Sequence, residues 1–421
     1  MKKIKVLTIS DHPLSPSGVG ICARSMIEAL IKTGNFQFVC LGGAIKHEEY
    51  KPGKVEGYGD DWMIIPVDGY GNPEIVRSII RTERPDILWF MTDPRFWGWL
   101  WQMEDEIRPL MPMVYYHVWD NYPYPKYNYP FYKSNDLIAT ISKVTDDIVA
   151  NVAPDVEKVY LPHAVDTDIF KKCLPNELSN FIGESFAKLK NYNPDRKIFF
   201  WNNRNARRKQ SGTLIFWFKE FLDIVGHENA GLLMHTDPKD LNGQDLRAII
   251  KDLDIEDGQI LLSEQKVPSE HLALIYNSAH ATINISDAEG FGLSTLESLA
   301  CETPIIVNMT GGLQEQVTDG ENWFGVGIEP ASKAIIGGQD IPYIHEDRLN
   351  KEEFIDACLK VYNLSEDEHA KLGREGREHV LKNYNFDDYC NNWIKVMTDV
   401  HEKHGSWENR KNYDKWTMET L

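Results

Sequence analysis

Two glutamates eight positions apart, Glu289 and Glu297, bracket the run Glu289-Gly-Phe-Gly-Leu-Ser-Thr-Leu-Glu297. An apolar strand-like stretch, Ala281–Ile285, precedes it, and Leu293, Leu296 and Ala300 behind it share one face of a helix. Gly290 and Gly292 let backbone approach a ligand closely beside Phe291 and Leu293. Amides at a helix start, reinforced by the helix dipole, suit a diphosphate. Carboxylates accept hydrogen bonds from hydroxyls, so both glutamates suit sugar or ribose diols. The plain alternative is a glycine-rich turn with two surface acids.

A second group is Asn202-Asn-Arg204-Asn-Ala-Arg-Arg-Lys209, again behind a strand-like stretch. Its cations, Arg204, Arg207, Arg208 and Lys209, crowd six positions of a chain whose net charge is −19. Arginine forks onto phosphate oxygens and lysine acts as a point charge, so such a loop clamps phosphates. A third piece, Ser15-Pro-Ser-Gly18-Val-Gly20, places two glycines after the first strand. It is one glycine short of the dinucleotide fingerprint and no acid follows at the right distance, so an NAD site is not read. Gly18 and Gly20 suit a phosphate or sugar leaning on the loop. The fourth piece is His117, ending the strand in Tyr115-Tyr-His117-Val-Trp-Asp120.

These groups need strands to hold them. Val6–Ser10, Phe36–Leu41, Met63–Val67, Ile87–Phe90, Met113–His117, Leu137–Thr140 and Lys158–Leu161 are short and apolar, as strands covered on both faces are. Ile21–Thr33 reads as a helix carrying apolar Ile21, Met26, Ala29 and Leu30, with Gly34 as its stop. A break around Lys171–Asp195 holds Pro175, Gly183 and Pro194, and then the rhythm restarts. Ile198–Trp201, Gly231–His235, Ile260–Leu262, Ala281–Ile285 and Pro304–Asn308 read as a second sheet. The chain is therefore expected to be α/β, with two Rossmann-like, doubly wound parallel-sheet domains facing a cleft. The 421 residues suffice for two cores. A helix is expected around Phe386–His404, and the tail beyond Gly405 is polar.

Bulk properties narrow the classes. No apolar run reaches 18 residues, so no membrane span is expected. The start lacks a long apolar segment and a small-residue cleavage site, so no secretory signal is read. Six scattered cysteines without a C-x-x-C pair fit free thiols in a cytoplasmic protein better than a disulfide framework or zinc site. Strong acidity counts against a large nucleic-acid footprint.

Together these motifs resemble the GT4 family of retaining glycosyltransferases, which have the GT-B fold. Glu289 to Glu297 matches that family's E-x7-E with a central GFGL. Arg204 with Lys209 matches its R-x4-K pair, and Gly18 with Gly20 fits its glycine loop loosely. Leu161-Pro-His-Ala-Val-Asp-Thr-Asp168-Ile-Phe resembles its P-N-G-V-D-x-x-x-F connector, and Gly311-Gly312-Leu-Gln-Glu315-Gln-Val-Thr-Asp-Gly320 its G-G-x-x-E-x-V-x-D-G stretch. Two positions depart. Glu302 stands where A-x-G-x-P has glycine, and His163-Ala164 stands where the connector has N-G. Asp166-Thr-Asp168 mimics the metal motif of GT-A enzymes but sits inside the connector.

The resemblance implies a metal-independent hexosyl- or pentosyltransferase without a cofactor. Its donor is a nucleotide-diphosphate sugar. It implies an acceptor-binding domain over 1–170, with the helix of about 386–421 packing back on it, and a donor-binding domain over 171–385. Gly18, Gly20, Arg204, Lys209, Gly290, Phe291, Gly292, Leu293 and Glu297 would bind the donor. His117, Glu289, Arg204 and Lys209 would carry catalysis. Trp119, Asp120, Tyr122 and Tyr124, in a Tyr- and Pro-rich loop, are candidates for the acceptor, since aromatic faces stack on sugars and bases. A modified base of viral DNA is an alternative acceptor. An epimerase or phosphorylase on the same fold fits the motif set less well. A non-catalytic nucleotide-sugar or glycan-binding protein is the alternative of another class.

Overall fold

The computed structural model describes residues 2–186 and 193–413. The middle of the expected break and the end of the polar tail, 187–192 and 414–421, lie outside the described residues. The chain divides into two compact units. The first comprises 1–163, 337–344 and 387–421, and the second 164–336 and 345–386. The division falls at 163/164, seven residues before the expected boundary, and the first unit takes up two later segments.

Unit 1 is built on eight strands: β1 (Ile4–Asp11), β2 (Phe36–Gly43), β3 (Gly53–Lys54), β4 (Trp62–Pro66), β5 (Ile87–Thr92), β6 (Met113–His117), β7 (Leu137–Thr140) and β8 (Lys158–Tyr160). Their order is β3-β4-β2-β1-β5-β6-β7-β8. All neighbours pair in parallel except β3 with β4. Strand order reverses between β1 and β5, the switch point at which ligands of such sheets gather. Leu7, Ile9, Phe90, Trp97 and Tyr115 are completely buried in its core.

The helix Gly18–Lys32 starts three residues before the predicted Ile21, because Ser17 caps it by accepting the Gly20 amide at 3.0 Å. Ile21, expected on its apolar face, is exposed, while Met26, Ala29 and Leu30 are buried as expected, together with Gly20, Cys22, Ala23 and Ile27. Gly20 cannot be larger. A Cβ there would stand 2.8 Å from the carbonyl oxygens of His12 and Ser15. All but the first residue of the helix Phe386–His404 belongs to unit 1. Its buried Trp393 meets Tyr116 edge-on at 4.8 Å and Trp89 at 5.9 Å.

Unit 2 has β9 (Lys197–Asn202), β10 (Ala230–His235), β11 (Ile260–Ser263), β12 (Ala281–Asn284), β13 (Ile305–Asn308) and β14 (Gly325–Ile328). They form one parallel sheet in the order β11-β10-β9-β12-β13-β14. Phe199, Trp201, Phe218, Phe221, Leu232 and Ile283 fill its core. The switch point lies between β9 and β12, the strands whose ends carry the basic run and the glutamate-glycine turn. Beyond this sheet, β15 (Ser332–Ile336) and β16 (Ile344–Arg348) form a two-stranded ribbon. The sequence reading placed neither the ribbon nor β14.

Candidate functional site

The helix Leu293–Ala300 is entered through Gly292 at φ +92°, and no side chain among the described residues caps it. A Cβ at Gly292 would stand 2.6 Å from Leu313 Cδ2. Below the turn, the Gln316 amide donates to the carbonyls of Phe291 (2.8 Å) and Gly292 (3.1 Å). The Thr295 hydroxyl donates to the Gly292 carbonyl at 2.8 Å and also reaches Gln316 Oε1 at 2.7 Å. The Gly312 amide closes onto the Glu289 carbonyl at 3.1 Å. The turn is thus braced from behind, which leaves the helix start pre-organised.

Glu289 is buried. The Lys209 ammonium donates to it, the Asn284 amide donates from 3.3 Å, and the Arg208 guanidinium lies 4.0 Å away. Burial pushes the Glu289 carboxyl up, but Lys209 and Arg208 together outweigh burial and hold it below its ordinary value. Glu297 is half-buried. Loss of water pushes its carboxyl up to about 7, against the pull of the Tyr276 hydroxyl donating at 2.7 Å. Tyr276 in turn accepts from the Asn202 amide at 2.9 Å. Asp287, also buried, is pushed up to about 6 by burial, partly offset by Gln210 and Arg348.

The structure brings Lys209, Glu289, Gly290, Phe291, Gly292, Leu293 and Glu297 to the ends of β9 and β12 and the helix behind them. Arg204 stands differently. Its exposed guanidinium forks onto Asp240 at 2.6 and 3.2 Å and does not engage Glu289. Arg208 is the second cation beside Glu289. In unit 1, Gly18 and Gly20 open the first helix, where Asp11 accepts from Ser17 (2.6 Å) and Tyr70 (2.8 Å).

His117, the candidate catalyst of unit 1, ends β6. It is completely buried, with Nδ1 at 3.0 Å from the Tyr115 hydroxyl and Nε2 at 2.7 Å from that of Tyr132. Both ring nitrogens are taken, and burial pushes its pKa down to about 3. Trp119 stands beside it, the ring centroids 6.4 Å apart. It lies in the core of unit 1, its indole N–H donating to the Asn121 carbonyl at 2.8 Å. Asp120 is half-buried. Tyr122 and Tyr124 both donate to one oxygen of Asp147 at 2.9 Å, with Tyr124 partly exposed. In the connector, Asp166 turns back to accept the Asp168 amide at 2.9 Å, an ordinary turn closure.

Sequence reasoning missed Asp240, Tyr276, Asp287, Glu346 and Arg348. Asp287, two residues before Glu289, was the one with a nearby signal. The others come from distant segments with no motif of their own.

Two doubly wound parallel sheets, each with its own switch point, define the class as GT-B. The solved sucrose-phosphate synthase of Thermosynechococcus elongatus shares this fold at a TM-score of 0.74 and 16% identity, covering 96% of this chain and 100% of that one. An Anabaena protein, HepE, solved with UDP and glucose, matches at 0.67 and 12%, covering 94% and 100%. Residues 191–338 match the family described as Glycosyl transferases group 1. The D-inositol 3-phosphate glycosyltransferase of Acidothermus cellulolyticus is 41% identical over 90 residues, 21% of this chain and 20% of that protein. The N-acetyl-alpha-D-glucosaminyl L-malate synthase of Bacillus anthracis is 24% identical over 203 residues, 48% and 45% of the two chains. This chain thus spans a fifth to a half of the curated relatives that it matches. No helix among the described residues is long and apolar enough to cross a membrane.

Proposed function

We propose that the protein transfers a hexosyl or pentosyl group from a nucleotide-diphosphate sugar to an acceptor hydroxyl, with retention and without a metal or other cofactor. The observation that carries this reading is the meeting of Lys209, from the basic run, with Glu289 at the uncapped start of the helix Leu293–Ala300. A diphosphate set there receives amide donors, the helix dipole and cations from Lys209 and Arg208. As the bond from the anomeric carbon to the leaving phosphate breaks, negative charge grows on that phosphate. Donors already in place stabilise this charge without reorganising. The acceptor oxygen bonds to the anomeric carbon on the same face, and its proton passes to the departing phosphate oxygen. Glu289 holds the sugar and Glu297 the ribose hydroxyls.

The acceptor is a glycan, a lipid-linked or a small hydroxyl compound. Acidity disfavours modified DNA. The test is a thermal-shift screen of UDP-, GDP-, ADP- and dTDP-sugars, since a ligand that binds the folded state raises its melting point. One nucleotide class should give a shift that Lys209→Ala sharply reduces. Glu297→Ala should weaken that binding, and Glu289→Ala should mainly lower turnover. No shift with any of the four would overturn the donor site in favour of a protein binding another ligand.

A further inference from the structure

The β15–β16 ribbon reaches the same loops. Glu346, buried on β16, receives the Arg207 guanidinium through both of its oxygens, one at 3.0 Å. The oxygen at 3.0 Å, Oε2, also accepts from Arg348 at 2.6 Å. Arg348 continues to Asp287 at 2.8 Å, and the same Asp287 oxygen accepts from the Gln210 amide. The Asp287 amide donates to the Arg208 carbonyl at 2.8 Å, and its carbonyl accepts the Asp347 amide at 2.9 Å. Asn308, at the end of β13, ties Ser286 to Asp347 with bonds of 2.8 and 3.1 Å. The result is a chain of alternating charge, Arg207–Glu346–Arg348–Asp287–Gln210. It begins two residues before Lys209 and ends one residue after it.

We propose that Glu346 and Arg348 are positioning residues for Lys209, stapling both flanks of that lysine to β16 so that its ammonium stands against Glu289 at the helix start. This rests on the donor reading above. Lys209 has a long flexible stem, and holding it by its neighbours keeps its charge in place when a diphosphate enters. Arg207 is exposed on its other side, yet its fork is spent on a buried carboxylate. Its partner is therefore within the protein, and its service to the site is indirect. β16 lies more than a hundred residues beyond the basic run, so neither residue belongs to the motifs that bring the site to notice.

The experiment is calorimetric titration of the full chain with UDP, and with GDP, ADP and dTDP where UDP is silent. Variants are Glu346→Gln and Arg348→Lys, each alone and combined with Lys209→Ala. Residues that act through one another give non-additive effects. Glu346→Gln should weaken nucleotide binding about tenfold, on the scale of one charge-assisted hydrogen bond. It should add almost nothing once Lys209 is alanine. Arg348→Lys keeps the charge and loses the fork, so it should show a smaller effect with the same coupling. It also serves if Glu346→Gln does not fold. Full effects persisting in the Lys209→Ala background, or unchanged affinity in both single variants, would overturn the proposal and leave the donor site standing. A wild-type chain that binds none of the four nucleotides removes the donor reading and the proposal with it.

Discussion

Replacing Lys209 with methionine keeps most of the side-chain volume and removes the charge that faces Glu289. Both side chains are about 10% exposed, so the variant leaves a buried carboxylate without its main partner. Breaking a buried ion pair on one side costs about 3–5 kcal/mol. Arg208 at 4.0 Å and Asn284 at 3.3 Å stay behind, which points to the lower end, about 3 kcal/mol. For a unit of roughly two hundred residues each kcal/mol moves the melting point by about 2–4 °C, so the unit 2 transition should fall by about 6–12 °C.

The pH dependence gives a second handle. In the wild type the folded pKa of Glu289 is lowered, so its contribution is present above the unfolded value of 4.5 and is lost as pH falls through the folded value. In the variant, burial acts with less opposition and raises that pKa. Charged Glu289 is then penalised, and the penalty eases as pH falls toward 4.5. Calorimetric scans at pH 8 and pH 5 should show the deficit shrinking at the lower pH. Lys209→Met combined with Glu289→Gln should recover much of the loss. A deficit under about 1 kcal/mol, or one equal at both pH values, would refute the claim that this pair is buried and coupled.

His117→Phe should cost about 1–3 kcal/mol in urea unfolding, because among the described residues the Tyr132 hydroxyl then keeps only Asn128, at 3.5 Å. The folded pKa of His117 is depressed, so an unfolded histidine takes up a proton below 6.5 while the folded one does not. That lowers wild-type stability by up to about 2 kcal/mol between pH 7 and pH 5, and the variant should lack this component. A variant with unchanged pH dependence would count against the sealed histidine. At Glu302 the backbone is left-handed, with φ +60°. Glu302→Gly should raise stability by about 0.5–1 kcal/mol, strain relief outweighing glycine's greater unfolded freedom. A fall in the melting point would refute this.

How much of this was legible depended on whether the signal was local. The twelve strands read from apolar runs were found within a few residues, since strands buried on both faces carry their own pattern. β3 is two residues long, and β14 and β15 contain glycine or mostly exposed residues, so no such pattern marks them. Lys209 and Glu289 stood out by motif, and the structure joins them. Arg204 shared the motif, yet its contact with Asp240 depends on where the loop after β10 folds, which spacing does not encode. The burial of His117 and Trp119 was not legible, because a polar or aromatic residue at a strand end looks alike in sequence whether it faces a ligand or the interior. The Glu302 departure, visible in the sequence as a lost glycine, became backbone strain only when its φ was known.

The assembly of unit 1 from three separated segments sets an order on its synthesis. Trp89 and Tyr116 leave the ribosome long before Trp393, and nearly three hundred residues, most of them unit 2 chain, come between. At about 5–20 residues per second, that gap lasts some tens of seconds or less. During it, the surface that Trp393 later covers on Trp89 and Tyr116 stays open, and the Cys22 carbonyl lacks the Tyr389 hydroxyl that later donates to it at 3.1 Å. Unit 2 has nearly all of its chain by then, so the half of the protein that begins first finishes last. For that interval the nascent chain carries an exposed aromatic surface of the kind that chaperones hold.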